Sequence, residues 1–439
     1  MKKLVVLGGG ISGYGSAILA KKMGYELLLS DKGMLAPKYV EILNKYGVEF
    51  EQGGHSVERI MEAHEVVKSP GIPDKVEIIM QLKERGIPVI SEIEFAGRYL
   101  DGARTICITG SNGKTTTTSL IYKILCDAGV SVSLGGNIGE SFAFSVAESR
   151  ADWYVLEISS FQLDGMFEFK ADVAVLMNIT PDHLDRYDYK FENYAASKMR
   201  VAQNQTPTDS FIYSADDEEI ISMMDRVGAT QLPFSKGDIT ADGLIKIEAA
   251  GKSLMIDANK MQIKGLHNCY NAMAAAKAAM AAGVDEEQIL KSIYEFNPVE
   301  HRLEPAGAID GVEYINDSKA TNVDSVWYAL DSMTRPTVWI AGGTDKGNDY
   351  APIVELARNK VHTLICMGLD NAALEHAFGP IVPKVISTSS LEEAMVAART
   401  AAHEGDTVLL SPACASFDLF KNYEDRGRQF KGWVAKNME

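Results

Sequence analysis

The chain has 439 residues, more than one hydrophobic core accommodates, so two or three domains are expected. Its hydrophobic (46%) and charged (23%) contents are those of an ordinary globular protein, and 43 Lys+Arg against 60 Asp+Glu leave a net charge of −17, which argues against a nucleic-acid partner held on a broad basic face. Five scattered cysteines without metal-ligand spacing read as reduced packing residues of a cytoplasmic protein, and no apolar stretch is long enough to cross a membrane.

The first predicted element is a strand, Leu4–Leu7, which glycines interrupt too early for a signal peptide. It runs into Gly8-Gly9-Gly10-Ile11-Ser12-Gly13, then a helical stretch to Met23 and a second strand, Leu27–Leu29, ending at Ser30-Asp31-Lys32. Gly8, Gly10 and Gly13 with Asp31 fit a dinucleotide fingerprint, although any strand-to-helix turn of this kind needs small residues for tight packing. Val66-Val67 leads into Ser69-Pro70-Gly71, and the block closes near Ser91-Glu92.

The second block opens with the apolar run Thr105–Ile108, the loop Thr109-Gly110-Ser111-Asn112-Gly113-Lys114-Thr115-Thr116 and a helical pattern from Thr118. A strand, a glycine turn and a helix start form a phosphate cradle, with Lys114 in reach of the outer phosphates and a Thr hydroxyl available to Mg²⁺. Ile108 stands where the usual nucleotide loop has its first glycine. Strand Trp153–Leu156 precedes Glu157, and strand Val173–Met177 precedes Asn178-Ile179-Thr180-Pro181-Asp182-His183. Leu244–Ile263 alternates like a small antiparallel excursion, and the Ala-rich run Asn268–Ala282 predicts a helix capped by Asn268 and stopped by Gly283. A third block begins near Glu300-His301-Arg302 and carries strands at Val338–Ala341, Thr363–Cys366 and Thr407–Leu410. Strands alternating with helices favour parallel α/β sheets.

Ligands of open α/β sheets sit beyond the carboxyl ends of the strands. Lys114, Glu157 and His183 each follow a strand of the second block, a set suited to phosphates and a hard divalent ion. Taken alone, Glu157 could cap a helix and His183 could be a loop histidine. An NAD-dependent oxidoreductase would use Gly8–Gly13 and Asp31 but leave those three residues without a task. A non-catalytic UDP-sugar-binding protein would need no complete phosphate loop.

Along nearly its whole length the chain resembles the Mur ligases, ATP-dependent amide-forming enzymes of peptidoglycan synthesis. The likeness is carried by residues 110–116, Gly136-Asn137-Ile138-Gly139, Glu157–Leu163, Asn178–Asp185, His267–Ala272, Glu300–Glu304 and Asn316–Asn322. Ser411–Asp418 with Phe420–Tyr423 and Arg426-Gly427 resembles the D-glutamate-adding branch in particular. There is no Asp-Asn-Pro-Arg segment of the diaminopimelate-adding branch, and Asn112 stands where the alanine-adding branch has His. Folate polyglutamate synthetase is a more distant reading, weakened by the first block.

The resemblance implies an α/β fold of three domains. These are a Rossmann-like UDP-substrate domain (1–93), a central ATPase-like parallel-sheet domain (94–298) and a Rossmann-like domain (299–439) that brings the amino acid. It implies ATP and two Mg²⁺ ions, and a monomer acting on UDP-N-acetylmuramoyl-L-alanine and D-glutamate, with no nucleic acid or membrane partner. Gly110, Asn112, Gly113, Lys114, Thr115, Thr116, Asn271, Arg302 and Asp317 match ATP contacts. Thr115, Glu157, His183 and Lys198 match metal ligands, Lys198 as a carbamylated lysine, and Lys114, His183 and Lys198 form the catalytic set. Gly10, Ser12, Gly13, Asp31, Lys32, Ser69, Gly71 and Asn137 match the UDP-substrate site, although Asp31-Lys32 departs from the Thr-Arg pair of some members. Lys319, Thr321, Lys346, Ser416 and Tyr423 match the D-glutamate pocket, Tyr423 standing where Phe is expected.

Overall fold

The computed structural model describes residues 2–297, 299–345 and 347–438, with residues 185 and 324 described by backbone alone. The first sheet is all parallel, in the order β3-β2-β1-β4-β5: β1 (Lys3–Leu7), β2 (Glu26–Asp31), β3 (Phe50–Gln52), β4 (Glu65–Lys68) and β5 (Val89–Ile90). Its central strands are near-continuous apolar runs because helices cover both faces. At Gly8 the backbone turns with φ +89°, and the helix Ile11–Lys22 starts at once. A Cβ on Gly13 would overlap Gly8 O, so this glycine is needed for strand-to-helix packing whatever binds there.

The second sheet has six strands, all parallel, in the order β11-β10-β9-β6-β8-β7. They are β6 (Arg104–Thr109), β7 (Val132–Gly136), β8 (Trp153–Glu157), β9 (Val173–Leu176), β10 (Ser210–Ser214) and β11 (Thr230–Phe234). The strand before the phosphate loop, β6, therefore lies between the strands that end at Glu157 and lead to Asn178. The expected excursion is the antiparallel hairpin β12 (Leu244–Ala249) and β13 (Lys252–Asp257). The Ala-rich helix runs Leu266–Ala281 and ends at Gly283 (φ +90°). Asn268 lies inside its first turn, its Nδ2 donating to Lys264 O (2.8 Å), so it is not the cap; the helix enters from Gly265 at φ +92°.

Residues 1–260 and 270–295 form one compact unit holding both sheets. Glu92, 1% exposed, accepts Ser141 Oγ–H and Ala143 N–H (3.0 Å), while Glu94 accepts the N–H groups of Phe167 (2.9 Å) and Phe169 (3.0 Å). Two buried carboxylates of one short helix, Glu92–Gly97, thus tie the first sheet's exit to the second domain's backbone.

The second unit comprises residues 261–269 and 296–439. Its sheet order is β14-β15-β19-β16-β17-β18: β14 (Glu304–Ile309), β15 (Val312–Asn316), β16 (Thr337–Ala341), β17 (Val361–Met367), β18 (Lys384–Thr388) and β19 (Thr407–Leu410). Five strands are parallel as expected. The edge strand β14 is antiparallel to β15, with an irregularity between Pro305 and Gly307. A two-residue turn at Asp310-Gly311 (φ +52° and +77°) makes this hairpin without a crossover.

Candidate active site

Gly110 (φ +149°) and Gly113 (φ +83°) take conformations that favour glycine, and the helix Lys114–Asp127 begins directly after Gly113. The loop is clamped to the segment after β9. Ser111 N–H donates to Asn178 O (3.0 Å), Asn112 N–H to Asn178 Oδ1 (2.8 Å), and Ser111 Oγ–H to Thr180 O (2.8 Å). Asn271 closes the loop from the Ala-rich helix: Thr117 Oγ1–H donates to its Oδ1 (3.1 Å), and a Cβ on Gly113 would come within 2.6 Å of that oxygen.

On the β8 side, Glu157 is 1% exposed and accepts Thr115 Oγ1–H at Oε2 (2.7 Å) and Asn137 Nδ2–H at Oε1 (2.7 Å). Asn137 N–H also donates to Glu157 O (2.8 Å). The nominated substrate contact Asn137 and the nominated metal ligands Thr115 and Glu157 are thus one cluster. Thr116 is buried on the first turn of the same helix.

Two lysines meet at one oxygen. Lys114 Nζ donates to Gly110 O (2.7 Å) and Ser111 O (2.8 Å); Lys198 Nζ donates to the same Gly110 O (2.8 Å). Lys198, on the helix Phe191–Met199, is 2% exposed and its amine lies 4.7 Å from the centre of the Tyr194 ring. Burial, then the charge of Lys114, pulls its pKa well below the usual lysine value, against the opposing pull of Asp182, Asp164 and Glu157. His183 sits at φ +53°, its ring 5.2 Å from that of Phe161 and its Nε2 3.6 Å from Asp182 Oδ2. Among the described residues no three His, Cys, Asp or Glu side chains converge as a ready-made metal cage. The oxygen donors at hand, Thr115 and Glu157, suit Mg²⁺ that takes its remaining ligands from phosphate and water.

In the first domain a cavity of about 570 Å³ opens beyond the carboxyl ends of β1 and β2, lined by Gly8, Asp31, Lys32, His55, Gly71 and Ile72 among others. Asp31 braces its rim: Oδ2 accepts Gly9 N–H (2.6 Å) and Oδ1 accepts Gly33 N–H (2.7 Å). Ser69 supports the glycine turn from below, its N–H donating to Leu7 O (2.9 Å). Of the other nominated residues, Gly10 opens the helix, Gly13 packs on Gly8, Ser12 faces Glu92, and Asn137 sits on the second sheet.

In the second unit the ends of β15, β19 and β16 are adjacent. Asp317 is fully buried, accepting Leu303 N–H (3.2 Å) and Ser411 Oγ–H (2.8 Å); burial pushes its pKa up to about 6, although Arg302 pulls the other way. Lys319 Nζ stands 5.5 Å from the Tyr423 ring centre, the Lys319 backbone N–H donates to His301 O (3.1 Å), and Ser416 is buried. Thr321 precedes the helix Val323–Ser332, which Asn322 caps through Ser325 N–H. Lys346 lies outside the described residues.

Three structural contributors stood in the sequence only as parts of matching motifs, without a role of their own. Asn178 and Thr180 clamp the phosphate loop. Arg426, wholly buried, binds Ser318 Oγ (3.0 Å), Ser318 O (2.9 Å) and the carbonyls of Gly342 and Cys414, burial bringing its pKa down to about 10. An Asn-x-Thr step directly after a strand was the available signal for the first two. Arg426-Gly427 marked the third by resemblance, but nothing in the local pattern says that helix Tyr423–Asn437 turns this arginine inward.

Family models described as Mur ligase MurD-like, N-terminal domain; Mur ligase middle domain; and Mur ligase, glutamate ligase domain match residues 2–91, 108–279 and 301–414. A curated relative from Bacteroides fragilis, named UDP-N-acetylmuramoylalanine--D-glutamate ligase, is 51% identical over 99% of each chain; one of the same name from Christiangramia forsetii is 50% identical over 98% of each. Among solved structures, the UDP-N-acetylmuramate-alanine ligase of Thermotoga maritima matches with a TM-score of 0.62 at 17% identity, covering 99% of this chain and 100% of that one. The MurF ligase of the same organism, in complex with ADP, gives 0.62 at 15% over 94% of each chain, and the two show the shared fold. With three successive domain models in order and about half of all positions shared with relatives of equal length, the chain belongs to the Mur ligase family.

Proposed function

We infer that this chain adds D-glutamate to UDP-N-acetylmuramoyl-L-alanine at the expense of ATP, as a cytoplasmic monomer in peptidoglycan precursor synthesis. The curated relatives support the substrate pair by name. The observation that carries the chemistry is the meeting of three neighbouring strand ends at the glycine loop, where Lys114 and Lys198 share Gly110 O and Thr115 bonds Glu157.

A carboxylate at neutral pH is a poor electrophile. Transfer of the γ-phosphoryl group of ATP to the L-alanyl carboxylate gives an acyl phosphate, which the amine of D-glutamate attacks as phosphate leaves. The chain's part is positioning and charge stabilisation. Backbone N–H groups of residues 110–116 and Lys114 hold the β- and γ-phosphates, and Asn271, Arg302 and Asp317 hold the rest of the nucleotide. Thr115 and Glu157 would hold one Mg²⁺, and His183 with Lys198 a second. Bound there, the ions neutralise charge on the transferring phosphoryl group. Lys198 suits the second role as a carbamate. A buried amine with a lowered pKa is uncharged often enough to attack CO₂, forming an N–C bond and releasing a proton, and the product is an anionic oxygen donor. Asp31, Lys32, Ser69 and Gly71 with Gly10, Ser12 and Gly13 serve the UDP moiety, and Asn137 the sugar-peptide end. Lys319, Thr321, Lys346, Ser416 and Tyr423 supply the cations and hydroxyls that two carboxylates of D-glutamate require. Domain limits at 93/94 and 298/299 follow from the same reading.

Phosphate release measured with ATP, Mg²⁺, UDP-N-acetylmuramoyl-L-alanine and a panel of amino acids tests it, D-glutamate being the expected acceptor. Lys114→Ala and His183→Ala should each cut turnover by about 10²–10³-fold, since each removes a charge-stabilising group of the kind worth about 2.7–4 kcal/mol of barrier. Near-normal turnover in either variant would refute the site.

A further inference from the structure

We propose that His55 reads the nucleobase in the first-domain cavity, presenting a lone pair at Nε2 that accepts the N3–H of uracil and rejects cytosine. The proposal rests on the cavity being the uridine subsite of the reading above.

The argument is proton bookkeeping along a relay of three side chains. Ser30, fully buried at the end of β2, donates its only hydroxyl hydrogen to Glu51 Oε1 (2.6 Å). The same oxygen accepts Ser56 N–H (2.8 Å). Burial works against the charge of Glu51, but hydrogen bonds from Ser30 and Ser56, with Arg59 nearby, outweigh it and hold its carboxyl below the usual range. Glu51 is therefore an acceptor only, and the Ser30 hydroxyl has no second hydrogen to give. Ser30 Oγ lies 2.7 Å from His55 Nδ1, so that bond forms only if Nδ1 carries the hydrogen. In the neutral ring this leaves Nε2 as an acceptor. Among the described residues nothing hydrogen-bonds Nε2, and His55 lines the cavity beside Gly54, Val57, Ile72, Pro73 and Val76, an apolar setting for a flat ring.

Uracil carries a hydrogen at N3 and cytosine carries a lone pair there. A fixed acceptor facing that edge pairs with the first and opposes the second. Asp31, the residue a dinucleotide fingerprint would nominate, already uses both carboxylate oxygens on the rim. His55 Nε2 is a ring acceptor at that cavity with no hydrogen-bond partner among the described residues.

Calorimetric titration of the full chain with UDP and with CDP tests this. The parent protein should prefer UDP by about tenfold or more, the scale of one satisfied against one opposed hydrogen bond. His55→Ala should weaken UDP and bring the two affinities together. Ser30→Ala keeps the ring but removes the oxygen that fixes the hydrogen on Nδ1, freeing the neutral ring to carry it on Nε2 instead. That variant should lose the UDP preference without touching the ligand, and ¹⁵N spectra should show the histidine hydrogen moving to Nε2. Unchanged UDP/CDP ratios in both variants, or no preference in the parent, would overturn the proposal. A parent that binds UDP selectively and ligates, with variants that discriminate equally well, sinks the role of His55 alone. A parent that binds neither nucleotide sinks the functional reading with it.

Discussion

Gly110 O receives two lysine amines from residues 84 positions apart in sequence, and Asp317 is a buried carboxyl that accepts a hydroxyl and an amide hydrogen. Such groups are expensive for a fold and useful to a site. The cost at Asp317 has a definite pH signature. With its pKa raised to about 6, the folded chain keeps a proton that the unfolded chain has lost between roughly pH 4 and 6. This contribution to stability is fully present below the ordinary carboxylate range and is lost as pH rises through about 6, by about 3 kcal/mol in all. Asp317→Asn should flatten that part of the profile and be the more stable protein at pH 8, while losing ATP-dependent turnover. Urea midpoints at pH 5 and pH 8 check the sign, and a parent whose second unit stabilises on going to pH 8 would contradict it.

At the level of elements, the glycine turns show which features belong to folding and which to chemistry. Gly13→Ala places a methyl against Gly8 O and should destabilise the first domain by about 1–3 kcal/mol, read as a lower unfolding midpoint with the nucleotide affinity of the second domain retained. The parallel strands and the helices between them were legible in the sequence because strands buried on both faces read as uninterrupted apolar runs. The phosphate loop was legible because its chemistry is contiguous, from Gly110 to Thr116. The edge strand β14 was not: Glu304-Pro305-Ala306-Gly307 is poor strand sequence, tolerated where one side is unpaired. The Ser30–Glu51–His55 relay joins three segments only after β2 and β3 pair, so no local pattern announces it. Asn268 looked like a cap because an amide before an alanine run usually is one; the chain instead gains its first turn from Gly265.

Across the first compact unit, Glu92 and Glu94 add directional hydrogen bonds to the apolar cluster that packs the helices of the two sheets. Glu92→Ala leaves Ala143 N–H and Ser141 Oγ without their buried acceptor and should cost about 1–3 kcal/mol, visible as early loss of the first domain in chemical denaturation. Coincident, unshifted transitions would show the tie to be dispensable. The fixed amine of Lys114 carries a broader consequence. Two backbone carbonyls of the loop hold it in place before any nucleotide arrives, and a tripolyphosphate chain meets that charge simply by entering. Part of the affinity for ATP is therefore independent of base and ribose, which makes bare inorganic polyphosphate a competitor and ties grip on the nucleotide to the ionic strength of the surroundings.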